Sequence, residues 1–417
     1  MAKIECIKGG LCMSYKTLYK LFYSSKKEFE NEYNKRFNAE NAVHLRFDIN
    51  GNPAFFLETP EIFKLVISIE RKNDYIKDLL VDLPKKAVNQ FITRCLIDEI
   101  VVSNNIEGVF STRREINEIF NNTGKTRKNK RFVGLVKKYI VLIQEKNIPL
   151  DNYKDIRKIY DDIFLEEIKE YDPKNIPDGE CFRKDSTDVL SETQKVIHTG
   201  LYPEKKIIEY MKYGMDILNN KDIDILFKTA IFHYMFGYIH PFYDGNGRTS
   251  RFISSYLLSK NLNKIIGFRI SLTIKNNINK YYEAFKICNH PNNKGDITPF
   301  IEMFLNIIDI SQEKLCEALE ERSEALRRYE ELIKKYMIKT TGSCENNIFS
   351  LYFVLAQATL FSENGISQKE LIEVSGVSYN KFKSDLEKIP ENMIITTREG
   401  RFIHYKLNLE ELDATNE

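Results

Sequence analysis

The stretch Ile239–Arg251, IHPFYDGNGRTSR, decides how this chain is read. Upstream, DIDILFKTAIFHYMFGY carries Ile225, Leu226, Ala230, Ile231, Tyr234 and Tyr238 at helical intervals, and Pro241 stops that helix at or before His240. Downstream, RFISSYLLSK repeats Phe252, Ile253, Tyr256 and Leu257 at i, i+4, so a second helix starts near Asn246. The arrangement is helix, tight loop, helix. Gly245 and Gly247 allow backbone shapes that side chains would block, and they leave amide N–H groups free at a helix start, where the helix dipole favours an anion such as phosphate. Arg248 and Arg251, three apart on the first helical turns, point guanidinium forks the same way. Asp244 on the loop is suited to hold a hard cation such as Mg²⁺ against phosphate oxygens. His240, just before the loop, is placed to accept a proton from an attacking hydroxyl.

Around this stretch the chain runs to 417 residues, more than one core usually holds. The expected divisions are an N-terminal region (residues 1–75) with a small hairpin around Asn50-Gly51-Asn52, a core (76–306), a charged connecting helix (307–343) and a C-terminal unit (344–417). Most of the chain has helical periodicity, so the fold class is mainly α. A second hairpin is expected where β-prone runs flank Glu192-Thr193-Gln194. Lys plus Arg number 62 against 60 Asp plus Glu, a net charge of +2 that gives no global sign of a polyanion partner, so any such binding must be local. Seven cysteines without CxxC or His/Cys ligand spacing read as reduced thiols of a cytoplasmic protein, not as a disulfide frame or zinc site. No apolar run is long enough for a membrane span, and the N-terminus lacks a signal-peptide core. The Lys-, Asn- and Ile-rich composition suits an AT-rich bacterial genome. His233 reads as a packed histidine, and the basic run Lys125–Arg131 as a solvated loop or a guide for a polyanion.

The motif HPFxDGNGRxxR resembles the signature of the Fic/Doc family, and every fixed position of it is present. The resemblance implies a Fic-type helical core and an enzyme that transfers AMP from ATP to a Ser, Thr or Tyr hydroxyl of a protein. By that resemblance His240 is the general base and Asp244 holds Mg²⁺. Gly245, Asn246 and Gly247 cradle the α- and β-phosphates, Arg248 reaches the β-phosphate side, and Arg251 the γ-phosphate. Doc toxins, which phosphorylate their targets, carry Lys at the position of Gly247, so the chain falls on the AMP-transferring side. The phosphate loop does not read the base, which leaves UMP or phosphocholine transfer open.

Upstream, VVSNNIEGVF contains Ser103, Glu107 and Gly108 in the spacing of the family's inhibitory motif. On a helix Ser103 and Glu107 share a face, and Gly108 is suited to end it. The resemblance implies that Glu107 pairs with Arg251 and keeps ATP from binding productively. In some relatives the same glutamate positions a water that removes AMP from modified proteins, an alternative activity. The second hairpin falls where the family carries a flap that pairs with a target segment. Tyr281 and Tyr282 fall where the family borders the adenine, and at position 237 many relatives have Glu where this chain has Gly237.

At the C-terminus, Ser367 and Ser378 read as helix caps with Gly376 at the turn between two helices, and the β-prone runs around Glu399-Gly400 follow, a winged-helix pattern. Residues 345–417 carry seven Lys or Arg and twelve Asp or Glu, a net charge of −5. That balance favours protein interaction or homodimer packing over DNA binding, although a DNA-binding regulator with a nucleotide-sensing core is the alternative of a different class.

Overall fold

Asn50 and Gly51 take positive φ, 50° and 78°, the twist that suits a two-residue hairpin loop. This computed structural model describes residues 15–121, 131–190, 196–344, 346–376, 378–399 and 402–416. Strands β1 (Ala42–Ile49) and β2 (Asn52–Leu57) pair antiparallel in the register Val43↔Phe56, Ile49↔Asn52. Helices α1 (Leu18–Ser24) and α2 (Lys26–Phe37) precede the hairpin and bury Leu18, Leu21 and Phe29 against Phe55 and Leu57. Phe47, Ile49 and Phe56 join the largest core, so the hairpin is shared between that core and the small one it forms with α1 and α2.

Helices follow: α3 (Pro60–Val81), α4 (Lys85–Ile106), α5 (Arg113–Asn121), α6 (Val133–Ile143), α7 (Tyr153–Tyr160) and, beyond a π-helical turn at Asp161–Leu165, α8 (Glu166–Tyr171). The hairpin of β3 (Asp188–Leu190) and β4 (Val196–Thr199) forms, while its expected turn at Glu192-Thr193-Gln194 lies outside the described residues. So does the basic run from Lys125 to Lys130. Next come α9 (Glu204–Asn219), α10 (Ile225–Ile239), α11 (Asn246–Asn261), α12 (Lys264–Gly267), α13 (Ile270–Asn276), α14 (Ile278–Cys288) and α15 (Thr298–Thr341). Twelve of the fifteen residues of α10 are buried, which makes it the central helix, since apolar side chains all round leave no face for water.

The charged stretch expected as a separate connecting helix is the distal part of α15, which runs 44 residues without a break. After Pro299 at its start, no Gly or Pro interrupts it until Gly342 takes φ 73°. Two cores share this helix: Leu326 belongs to the first, and Tyr329 begins the second. The second core holds α16 (Asn346–Phe361), β5 (Ile366–Ser367), α17 (Gln368–Ser375), α18 (Tyr379–Leu386), β6 (Ile394–Glu399), β7 (Phe402–Leu407) and α19 (Leu409–Asn416), with strand order β5-β7-β6. Ser367 caps α17 in a reciprocal box with Glu370, Gly376 takes φ 65°, and Ser378 caps α18. Among the described residues no helix is long and apolar enough to cross a membrane, and the five cysteines are free thiols.

Candidate active site

Helix α10 ends at Ile239, and His240 is its C-cap in the left-handed region, φ 52° and ψ 62°, its amide still donating to the Phe236 carbonyl at 2.9 Å. A histidine in this conformation is uncommon and needs support from its surroundings. Arg183 supplies it. This side chain is fully buried, and it donates to the carbonyls of His240 (2.9 Å), Leu201 (2.9 Å), Ile239 (3.4 Å) and Asp185, while its own amide donates to Pro241. Burial pushes the guanidinium pKa down. The turn before it is held by Glu204, whose carboxylate accepts the amides of Glu180, Cys181 and Phe182. The His240 ring is driven down to about pKa 3, by desolvation first and then by His198 and Arg183, so it is neutral at pH 7 and able to accept a proton.

The loop is closed by its own asparagine. Asn246 accepts from the Phe242 amide (2.9 Å) and donates to the Phe242 carbonyl (2.7 Å), so its side chain is occupied and only its backbone N–H is left for a ligand. Phe242 is fully buried and stacks on Tyr160 at 3.6 Å. Gly245 caps α11 at φ 78°, and the first bond of the helix runs from the Thr249 amide to its carbonyl. The amides of Asn246, Gly247 and Arg248 therefore have no acceptor within the helix, and they form an anion-binding end. Asp244 accepts the Gly245 amide at 2.6 Å and lies 3.5 Å from Arg248. Arg248 is buried over the Phe164 ring and pairs with Glu167 at 3.2 Å.

Arg251 is buried and faces α4. Its Nε donates to Ser103 Oγ (3.0 Å), and its Nη2 donates to the Ser103 carbonyl (2.9 Å) and to Glu107 Oε1 (2.8 Å). Glu107 raises the guanidinium pKa against the opposing effect of burial. Glu107 is the C-cap of α4 and Gly108 follows at φ 70°, the helix ending expected from the sequence. The Glu107 carboxylate lies over the anion-binding end itself: a Cβ on Gly247 would stand 2.1 Å from Glu107 Oε1 and 3.0 Å from Arg251 Nη1.

Residues 149–258, a span that holds His240 and the loop after it, match the family described as Fic/DOC. The chain carries a Fic/DOC family domain. Curated proteins similar to it include Protein adenylyltransferase Fic of Drosophila yakuba, 41% identical over 73 residues, and that of Drosophila erecta, 38% identical over 87. Those matches cover 18% and 20% of this chain and only 13% and 16% of the relatives' lengths. Among solved structures, a Fic family protein from Desulfovibrio desulfuricans aligns over 84% of this chain and 96% of its own at TM-score 0.50 and 18% identity, a likeness of fold.

Within the Fic/DOC domain the β3–β4 hairpin passes close to His240, since a Cβ on Gly200 at its base would lie 2.9 Å from the His240 Cβ. His198 of β4 bonds the Tyr238 carbonyl at 2.6 Å. Tyr281 is buried with its hydroxyl 2.8 Å from His233, whose other ring nitrogen meets Ser254, so both belong to a core network; Tyr282 is exposed. Position 237 is a glycine because Phe285 fills the space a side chain would need: a Cβ there would stand 2.6 Å from its ring. Among the described residues no cluster of three or more His, Cys, Asp or Glu could hold a metal alone. Asp244 as a single partly exposed carboxylate fits Mg²⁺, which is commonly bound through one carboxylate together with substrate phosphates and water. Sequence reasoning missed Arg183, Glu167 and Glu204, because their partners lie far away in the chain and no local pattern marks them.

Proposed function

We propose that the protein is an autoinhibited protein adenylyltransferase that moves AMP from ATP to a Ser, Thr or Tyr hydroxyl of a target protein, releasing pyrophosphate. The seat of Glu107 carries the reading: a carboxylate supplied by the chain pairs with Arg251 over the free amides of α11, where an anionic ligand would sit. It therefore competes with the γ-phosphate of ATP for Arg251. Once Glu107 withdraws, the Gly245–Arg248 backbone holds the α- and β-phosphates, with Arg248 on the β side. Asp244 holds Mg²⁺, which when bound neutralises phosphate charge. Neutral His240 takes the hydroxyl proton as the target oxygen bonds to the α-phosphorus and the bond to the pyrophosphate oxygen breaks. Arg183 keeps His240 in register for that transfer.

In the same reading the β3–β4 hairpin pairs with an extended target segment, and of the pair Tyr281 and Tyr282 it is the exposed Tyr282 that borders the adenine, Tyr281 being held in the core by His233. The C-terminal winged-helix-like module selects protein partners or pairs two copies of the chain; its net charge of −5 opposes a DNA role. The names of the Drosophila relatives support AMP transfer. A second reading, removal of AMP, draws on the partial exposure of the Glu107 side chain, 29%, which leaves room for it to orient a water.

The test is mass spectrometry of a bacterial lysate incubated with the Glu107→Gly protein, ATP and Mg²⁺. AMP adducts on hydroxyl side chains are expected. A folded, ATP-binding protein that leaves no adduct would refute AMP transfer, and loss of AMP from a pre-modified target with the unaltered protein would favour the second reading.

A further inference from the structure

A cavity of about 550 Å³ lies where α4 and α5 meet the C-terminal module, and no residue of the catalytic loop lines it. Lys86 and Arg94 of α4, Arg113 and Arg114 of α5 and Arg398 of β6 contribute five cations to its walls. Two carboxylates, Glu363 and Glu370, are set against them. Neither acid is closely paired: Glu370 is 3.6 Å from Lys86, and Glu363 is 3.7 Å from Arg113. Arg113 also meets Asp98 at 2.5 Å, and Arg114 meets Glu118 of its own helix. Among the described residues Arg94 and Arg398 have no carboxylate within ion-pair distance. Arg94 adds to burial in lowering the pKa of Arg322, whereas at Lys406 the opposing effect of Glu363 comes before that of Arg94. Asn89 adds a neutral side chain, while the Thr93 hydroxyl donates to the Asn89 carbonyl at 3.0 Å. Cavities of roughly 300–1,000 Å³ with a few convergent polar groups hold small ligands, and guanidinium forks match phosphate oxygens in pairs.

We propose that this cavity binds a small phosphorylated molecule of nucleotide size with at least two phosphate charges, and that the bound molecule sets the Glu107 brake; the second part rests on the autoinhibition reading. The connection is covalent and short. Helix α4 presents Arg94 and Ile97 to the cavity and, further along, Ser103 and Glu107 to Arg251. Helix α5 begins at Arg113, six positions after Glu107, and the link between is tied back by Asn104 Nδ2 donating to Ser111 Oγ at 3.1 Å. A polyanion that draws Arg94, Arg113 and Arg398 together pulls on α4 thirteen positions before Glu107 and on the start of α5, which directly follows residues 107–112. It therefore changes how Glu107 meets Arg251, by the difference in its affinity for the two positions of the link.

The probe is inorganic pyrophosphate, titrated calorimetrically at low salt into the full-length protein and into Arg94→Gln/Arg398→Gln, two surface changes outside the catalytic loop. Amide hydrogen exchange of residues 103–108 is followed in parallel. The expected result is binding weakened at least tenfold by the double change, and an exchange response in the parent protein that the double change abolishes. Equal binding by both proteins, or binding by the parent with no exchange response at residues 103–108, overturns the proposal. Glu107→Gly alone tests the brake without touching the cavity, so failure of the autoinhibition reading is seen separately.

Discussion

Replacing Arg183 with Met separates the support of the base from the binding of nucleotide. The guanidinium is fully buried and donates to four carbonyls, two of them at 2.9 Å. A hydrogen bond from a charged donor contributes about 1.5–3 kcal/mol. Against this stands the cost of burying a cation with no carboxylate partner, visible in its lowered pKa. The net loss of stability should be about 2–4 kcal/mol. Freed of its carbonyl anchor, His240 can leave the left-handed region, which costs a non-glycine residue about 1–2 kcal/mol. A displacement of about 1 Å at a reacting group lowers a rate by about 10²-fold. No phosphate-binding group is touched, so ATP affinity should change less than about threefold. In a Glu107→Gly background the assays are urea unfolding, calorimetric ATP binding and the rate of AMP transfer. A transfer rate within threefold of the parent would refute the positioning role, and an ATP affinity that falls as far as the rate would show collapse of the loop instead.

Glu107→Gln keeps the shape of the brake and removes its charge; at this partly exposed pair the loss of about 1–2 kcal/mol should tighten ATP binding about 5- to 30-fold in a His240→Ala background, read by calorimetry. Unchanged affinity would contradict competition for Arg251. Asn246→Ala removes both bonds that close the loop and should cost about 1–3 kcal/mol in denaturant unfolding, whereas a neutral result would mean that Phe242 packing alone holds it. His233 is fully buried and held down to about pKa 3, below the ordinary value near 6.5. Below pH 6.5 the unfolded chain takes up a proton that the native state refuses, so stability is full above that pH and falls as pH drops toward 3. At pH 5 the loss from His233 should be about 2 kcal/mol, with a smaller share from the less buried His240. His233→Gln should flatten the decline measured by urea unfolding between pH 7 and 5, and an unchanged slope would contradict the assignment.

The helix–loop–helix around His240–Gly245 was legible because Pro241 and the glycines act locally: α10 ends at Ile239 and α11 begins at Asn246, as the spacing predicts. The turn at Asn50-Gly51 and the helix end at Gly108 were legible for the same reason, since positive φ selects these residues. Arg183 was not, because three of its four carbonyl partners lie 18 to 57 positions away, and an arginine in a loop carries no periodic mark. Asn246 was expected in the phosphate cradle with no role given to its side chain, which the fold turns onto Phe242. The extent of α15 was hidden by a change in texture: its first turns are buried nearly all round and its later turns on one side only, so one helix reads as two segments.

The most direct measurement of the central claim is transfer of label from ATP carrying it on the α-phosphate, in lysate with Mg²⁺, by the unaltered protein, Glu107→Gly and Glu107→Gly/His240→Ala. Strong transfer by the single variant, weak transfer by the unaltered protein and none by the double variant is the predicted result. Equal transfer by the unaltered protein and Glu107→Gly would contradict the brake, and transfer that survives His240→Ala would contradict the base.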